Sequence, residues 1–370
     1  MLDLTVSRSF MSIVAMFGVA AAGMPGCANL GAGVDGRDPL AYEGNITWPG
    51  SEPDLCEAGR AIEIVGNLVV LEASDLSGLS CVCEVTQNVI IDNNPDLKSL
   101  AGLEGLTTVG GYLSIQSNFA LSSLAGLAGL TSLGEGLYIK YNFALTSLTG
   151  LEAVSTVGGD MGVGDNPAIK SLAGLEGLTS VGGYLHIDYN DTLTSLTGLE
   201  GLTSLGGSLK IQANSALTSL AGLEALTTVG GDMGIAYNPT LTSLAALEAL
   251  TSVGGGVSIP SNGPMTSLTG LEGLTSVGED LSIAYNDTLT SLTGLEGLTT
   301  VGGHLYIEYN NALTSVKALE AVTSIGGGLN IIYNPQLPNC LAEVLAYDII
   351  GEENIGGVIS IEGNSPDCPE

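Results

Sequence analysis

The chain has 370 residues, of which 39 are acidic and 8 basic, giving a formal net charge of −31; 45% are apolar, with only 4 Phe and 1 Trp. That balance excludes nucleic acid as a partner, since nothing neutralises phosphates, and excludes simple electrostatic docking on anionic lipid. It leaves material for a large aliphatic core, and it favours solubility and cation binding.

Taken from the N-terminus, Arg8 precedes the apolar run Met11–Met24, which is too short for a membrane span and fits a signal-peptide core. The run ends in MPGC, with Cys27. Small residues before a Cys resemble the bacterial lipobox, in which that Cys is lipidated and becomes the mature N-terminus; Met24 stands where Leu is usual. The alternative is an ordinary signal peptide cut near Ala22 or Gly26, with Cys27 incidental. On the lipoprotein reading, Ala28 rather than Asp points to an outer-membrane or surface address, and a lipid anchor is then the sole membrane attachment. Residues 1–27 are therefore assigned as a signal peptide. Residues 28–54, rich in Gly, Pro and acid, read as a flexible linker that contains Trp48.

A strict ruler follows. One Asn recurs every 24 residues from Asn94 to Asn334, eleven times. Around it the frame is L-x-I-x-x-N-x-x-L-x-S-L-x-x-L-x-x-L-x-x-V-G-G, exemplified by Leu185, Ile187, Asn190, Leu193, Leu196, Leu199, Leu202 and Leu205. The L-x-I pair has the period of two of a strand, and no helix of useful length fits between the Gly pairs. A single 24-mer cannot bury its apolar face alone, whereas stacked copies share one core. The expected fold is all-β: a right-handed parallel β-helix, a leucine-rich-repeat-like solenoid of about thirteen coils roughly 60 Å long at the strand spacing. Each Asn should stack on the next as a hydrogen-bonded rung. The Gly pairs should supply a positive φ or a close backbone approach.

The pattern V-G-G-x-L-x-I-x-x-N-x-x-L-x-S-L resembles the receptor L-domain family, the β-helices of insulin and EGF receptor ectodomains that also occur in bacterial surface proteins. The resemblance covers about Cys56 to Cys368. It implies a Cys pair closing the first coil, with Cys56 and Cys83 at the matching places; if Cys27 is lipidated one Cys is unpaired, with Cys81 the candidate, although Cys81 and Cys83 are too close in sequence for spacing to separate them. This chain has more, and more uniform, coils than one L-domain, so no ligand residue is carried across. The solenoid is assigned to 55–368, with an N-terminal cap at 55–85 whose first strand is Leu68–Val70, regular coils over 86–334, and a C-terminal cap at 335–368. That cap should hold a short helix from about Cys340 to Tyr347 with Asn339 as N-cap, a last strand in GGVISIEGN, and a Cys340–Cys368 bridge plausible in an exported protein.

Catalytic constellations are absent from the pattern. The two His residues, His186 and His304, lie five coils apart, roughly 24 Å, and no Arg follows Arg60. A non-enzymatic protein is expected, with no cofactor. Glu recurs every 24 residues at 152, 176, 200, 224, 248, 272, 296 and 320, and also at 104. Stacked like charges cost about 0.9 kcal/mol per contact in bulk water. The plain reading is a solvated edge; the sharper one is a row of weak calcium sites at Glu176, Glu200, Glu224, Glu248, Glu272 and Glu296, although one Glu per coil supplies few of the oxygens calcium wants.

The frame hardly changes between copies, whereas the outward positions of the L-x-I strand do. Candidate ligand-binding residues there are Tyr112, Tyr138 and Lys140 in two early coils. Tyr184, His186, Asp188 and Lys210 follow in the middle coils, and His304, Tyr306 and Glu308 lie in a late one. The residue before the Asn is often Tyr. A flat sheet with variable polar and aromatic residues is what solenoid binding faces look like; the alternative is drift on a face with nothing to preserve, with Tyr merely a good strand former. The expected function is a monomeric, exported or cell-surface binding module for an extracellular protein or glycan. A structural or adhesive spacer is the alternative, and a carbohydrate-active enzyme a remote one.

Overall fold

The computed structural model of the protein describes residues 39–49, 55–56 and 60–368. The signal peptide, Cys27 and the start of the linker lie outside the described residues. Two parallel sheets run the length of the solenoid, one of 14 strands and one of 13. Each regular coil gives a four-residue strand to the first, such as Leu185–Asp188, and a two-residue strand to the second, such as Ser204–Leu205. Pairing is in register from coil to coil: Leu185 lies opposite Leu209, His186 opposite Lys210 and Ile187 opposite Ile211. A slip of one residue would turn Leu185 and Ile187 outward, so the 24-residue period is fixed by the core.

The apolar residues spaced by three are explained by consecutive tight turns. The Leu199 N–H donates to the Leu196 carbonyl and the Leu202 N–H to that of Leu199, at 3.2 and 2.9 Å. Each such turn returns the next Leu to the interior, and Leu193, Leu196, Leu199 and Leu202 are fully buried. In four coils the first turn tightens into a short 3-10 helix, at Ser77–Leu79, Ala125–Leu127, Ala245–Leu247 and Lys317–Leu319.

The Asn residues form the predicted ladder. The Asn190 backbone N–H donates to the Asn214 Oδ1 at 3.1 Å, while the Asn214 Nδ2 donates to the carbonyls of Ile187 and Gln212 at 3.0 and 3.1 Å. The ladder starts before the first rung, where Ala73 N–H donates to Asn94 Oδ1, and ends at Asn364, whose Oδ1 receives Asn334 N–H. Of the two roles open to the Gly pairs, close approach is the one found. A Cβ on Gly182 would overlap the Gly158 carbonyl, and Gly182 has no positive φ.

Four expectations are corrected. First, the stretch assigned to the linker contains a coil. Strands Leu40–Glu43 and Ile46–Trp48 pair with Ile62–Val65 and Leu68–Val70, so the solenoid begins one coil before the expected N-terminal cap. Trp48 holds it: the indole Nε1 donates to the Asp75 carbonyl at 2.9 Å, and the ring packs against Gly78, where a Cβ would collide with it. Second, Cys56 pairs with Cys81, not Cys83. Cys83 falls at an irregularity in the pairing of Val82–Val85 with Ile62–Val65 and is buried with its Sγ 3.4 Å from the Ile62 carbonyl, whereas half-exposed Cys81, just before the strand, is placed to meet Cys56. Third, Cys81 is therefore not left over. Fourth, the terminal helix starts at Asn339 with Pro338 as its cap residue, and after Glu343 it widens into a π-helical turn over Val344–Ile350. The Cys340–Cys368 bridge and the last strand, Ile359–Glu362, are as expected.

Candidate functional site

The outward positions of the four-residue strands form three rows along the long sheet. The row that precedes the strand has a structural task. Asp160 Oδ1 accepts from Tyr184 N–H at 3.0 Å, Asp232 Oδ1 from Gly256 N–H at 2.8 Å, and Asp280 Oδ1 from His304 N–H at 2.7 Å. His304 belongs to this row: its Nδ1 accepts from Gly328 N–H at 2.9 Å. Asn88, Asp160, Ser208, Asp232, Asp280 and His304 exchange for one another as acceptors that close the turn to the next coil, which a sequence comparison of coils reads as freedom; Tyr112, Gly136, Tyr184 and Gly256 stand in the same row without that task.

The remaining candidates, Tyr112 and Tyr184 of this first row among them, gather unevenly with those of the other two rows. In the first half, Tyr112 meets Tyr138 edge-on with ring centroids 6.0 Å apart, and Tyr184 stacks on His186 at 4.1 Å. The coil between them contributes Gly162 and Gly164, both buried although they sit on the outer face. A Cβ on Gly162 would lie 3.3 Å from Lys140 Cε, and one on Gly164 would overlap Asp188. Tyr138, Lys140, Tyr184, His186 and Asp188 thus close over a glycine floor. Burial, then the Tyr184 hydroxyl, pushes the Tyr138 phenol up to about 12. Burial first, and Lys210 second, holds His186 below the usual histidine range. The Asp188 Oδ1 is buried with no hydrogen-bond partner. Lys210 is exposed one coil on. In the second half, His304 stacks on Tyr306 at 5.4 Å, and burial raises the Glu308 carboxyl. Between the two groups the outward residues are small: Gly234, Ala236, Ser258, Ser282 and Ala284.

The Glu row is explained locally. Glu152, Glu176, Glu200, Glu224, Glu272 and Glu296 each accept the backbone N–H of the Gly two residues before, at 2.8–3.0 Å. Those Gly residues hold φ near +110°, as in Gly174, where a Cβ would strike the Leu148 carbonyl. Where that position is Ala, before Glu248 and Glu320, the turn becomes 3-10 instead and the Glu makes no such bond. Among the described residues no group of three or more His, Cys, Asp or Glu is gathered as a metal set. A depression of about 370 Å³ lies between two late coils, lined by Ser291, Glu296, Ser315, Lys317 and Glu320 among others, away from the candidate rows.

One row was misread from sequence. The residue before each ladder Asn is not strand: from Asn93 to Tyr333 it is left-handed in all eleven, with φ between +54° and +57°, and Glu72 before Ala73 shares the conformation. Six of the eleven are Tyr. Bulky side chains resist this conformation by about 1 kcal/mol or more, whereas Asn and Asp tolerate it. Strand propensity therefore does not account for these tyrosines. Tyr141, Tyr189, Tyr237, Tyr285 and Tyr333 are 42–58% exposed. Tyr285, Tyr309 and Tyr333 stack in succession, with centroids 4.8 and 4.9 Å apart. On the adjoining row Phe119 stacks on Phe143 at 5.0 Å, both exposed. The signal that finds this row is the invariant spacing to the Asn, which places it at the turn.

No family model and no curated protein matches the chain. Among solved structures it is similar to an internalin from Listeria monocytogenes, at 19% identity, over 82% of this chain and 76% of that one, with a TM-score of 0.45.

Proposed function

We propose that the protein is a non-enzymatic repeat protein of the cell surface or the secreted fraction, which binds an extracellular protein or glycan through the outward rows of its long sheet. The observation that carries this reading is the closure of Tyr138, Tyr184, His186 and Lys140 over the Gly162–Gly164 floor. Packed aromatic side chains with polar tips supply contact area at small entropic cost. A lipid on Cys27 would tether the rod to a membrane and leave this sheet free. Calcium is not required by this reading, because the Glu carboxylates already hold backbone N–H groups.

A spacer is the second reading, favoured by the small outward residues from Gly234 to Ala284. The two are separated by presenting the chain without its signal peptide to a glycan array and to surface-protein extracts, beside a Tyr138→Ala/Tyr184→Ala variant. Binding predicts capture that the variant loses at an unchanged melting temperature. Equal capture by both proteins would sink the binding face and leave the spacer.

A further inference from the structure

The tyrosines before the ladder Asn form a rail along one edge of the long sheet, separate from the face described above. Along it the residues run Tyr141, Asp165, Tyr189, Ala213, Tyr237, Ser261, Tyr285, Tyr309, Tyr333. From Tyr141 to Tyr285 a Tyr therefore alternates with a small residue. Rings two coils apart are separated by about 9.6 Å, twice the strand spacing. The far end of the rail shows what fits such a gap. Tyr309 lies between Tyr285 and Tyr333, stacked on both, and alone among the rail tyrosines it is only half-exposed. The gaps at Asp165, Ala213 and Ser261 have the same coil spacing and carry no ring, and at the first the Asp165 carboxyl lies against the Tyr141 hydroxyl.

We propose that these three slots receive the guanidinium groups of an extended, arginine-bearing segment of a partner protein. The guanidinium is planar, stacks on aromatic faces and is weakly hydrated, so it can take in the ringless slots the place that the Tyr309 ring takes in the filled one. Charge selects it over other flat groups. The chain carries −31. The first slot has Asp165 at its base: burial and then Asp188, with a smaller part from Asp191, raise its carboxyl, while the Tyr141 hydroxyl and Lys140 oppose the rise. The same net charge opposes a second copy of this chain as the occupant. Successive slots are two coils apart, about 9.6 Å. A polyproline II segment returns to the same face every three residues, about 9.3 Å. The matching partner therefore presents Arg at every third position, over three such positions.

The test uses two synthetic peptides, four repeats of Arg-Pro-Pro and four of Lys-Pro-Pro, titrated by calorimetry against the described chain at 0.15 M salt. The Arg peptide should bind about tenfold or more tightly than the Lys peptide of equal charge, the margin expected for stacking in addition to charge. Tyr189→Asn/Tyr237→Asn should lose that margin without a fall in melting temperature, because Asn accepts the left-handed backbone. Tyr138→Ala/Tyr184→Ala, which alters the sheet face, should leave peptide binding intact. Equal affinity for the two peptides, or affinity unchanged in the Asn variant, overturns the proposal. So does a glycan captured by the rail when neither peptide binds. None of these outcomes bears on the sheet face, whose variant is read separately.

Discussion

Two neighbouring rows of the solenoid meet opposite fates. The ladder Asn of each regular coil is almost completely buried, and its amide is spent on carbonyls and on the next rung. The residue immediately before it is exposed or half-exposed, left-handed and, in six of the eleven, a Tyr that the backbone conformation disfavours. One peptide bond separates a residue held by the fold from one the fold resists. Invariance in the first row reports stability. Recurrence in the second needs another cause, because a residue that costs stability is retained only if something else uses it.

The sharpest way to break this comparison is to delete a rung. Asn214→Ala orphans the buried Asn190 N–H and the Ile187 carbonyl, and at about 2 kcal/mol for each unsatisfied group it should cost about 4 kcal/mol. Hydrogen exchange should show protection lost first in the coils on either side, as expected of a solenoid with nearest-neighbour coupling. Removing the Cys56–Cys81 bridge with Cys56→Ser/Cys81→Ser should cost about 3 kcal/mol and free the first coils, read as early proteolysis near Trp48. Glu200→Ala removes the acceptor of Gly198 N–H and should cost about 1 kcal/mol. Melting temperatures in calcium and in chelator should coincide for both parent and variant; a calcium-dependent rise in the parent alone would restore the cation reading. At the other pole, Tyr237→Asn should be neutral or stabilising by up to about 1 kcal/mol, and a clear destabilisation would show that the rail is structural after all.

The smallest effect is on pH. Burial raises the carboxyls of Glu84, Asp92, Asp165 and Glu308 above their ordinary values. A raised carboxyl binds its proton more tightly folded than unfolded. Its contribution is therefore complete below the unfolded value and is lost as pH rises through the folded one. The melting temperature should rise modestly between pH 7 and about pH 4, and Asp92→Asn should flatten part of that slope. His186, held low, works the other way, losing stability as pH falls below about 6.5.

Much of the fold was legible because it repeats. The Asn interval, the L-x-I alternation and the Leu spacing each constrain a coil, and eleven copies remove ambiguity that one would leave. The ends were less legible for the same reason. Strands Leu40–Glu43 and Ile46–Trp48 carry no ruler, and Gly and Pro around them read as linker. The choice between Cys81 and Cys83 turned on which way two nearby side chains point, a matter of strand register that spacing does not show. On the candidate face, the acceptor role of Asp160, Asp232, Asp280 and His304 was hidden, because chemically different side chains perform it.

By itself the sequence determined the period, the inward faces and the closed parallel coil, because burying seven or so apolar side chains per 24 residues admits little else. Only the tertiary structure decided which exposed residues are free. Stacking coils about 4.8 Å apart brings residues 24 and 48 apart into contact. Whether a side chain is then an acceptor for the next coil, the lid of a glycine floor or one ring of an exposed rail depends on what the neighbouring coils place beside it.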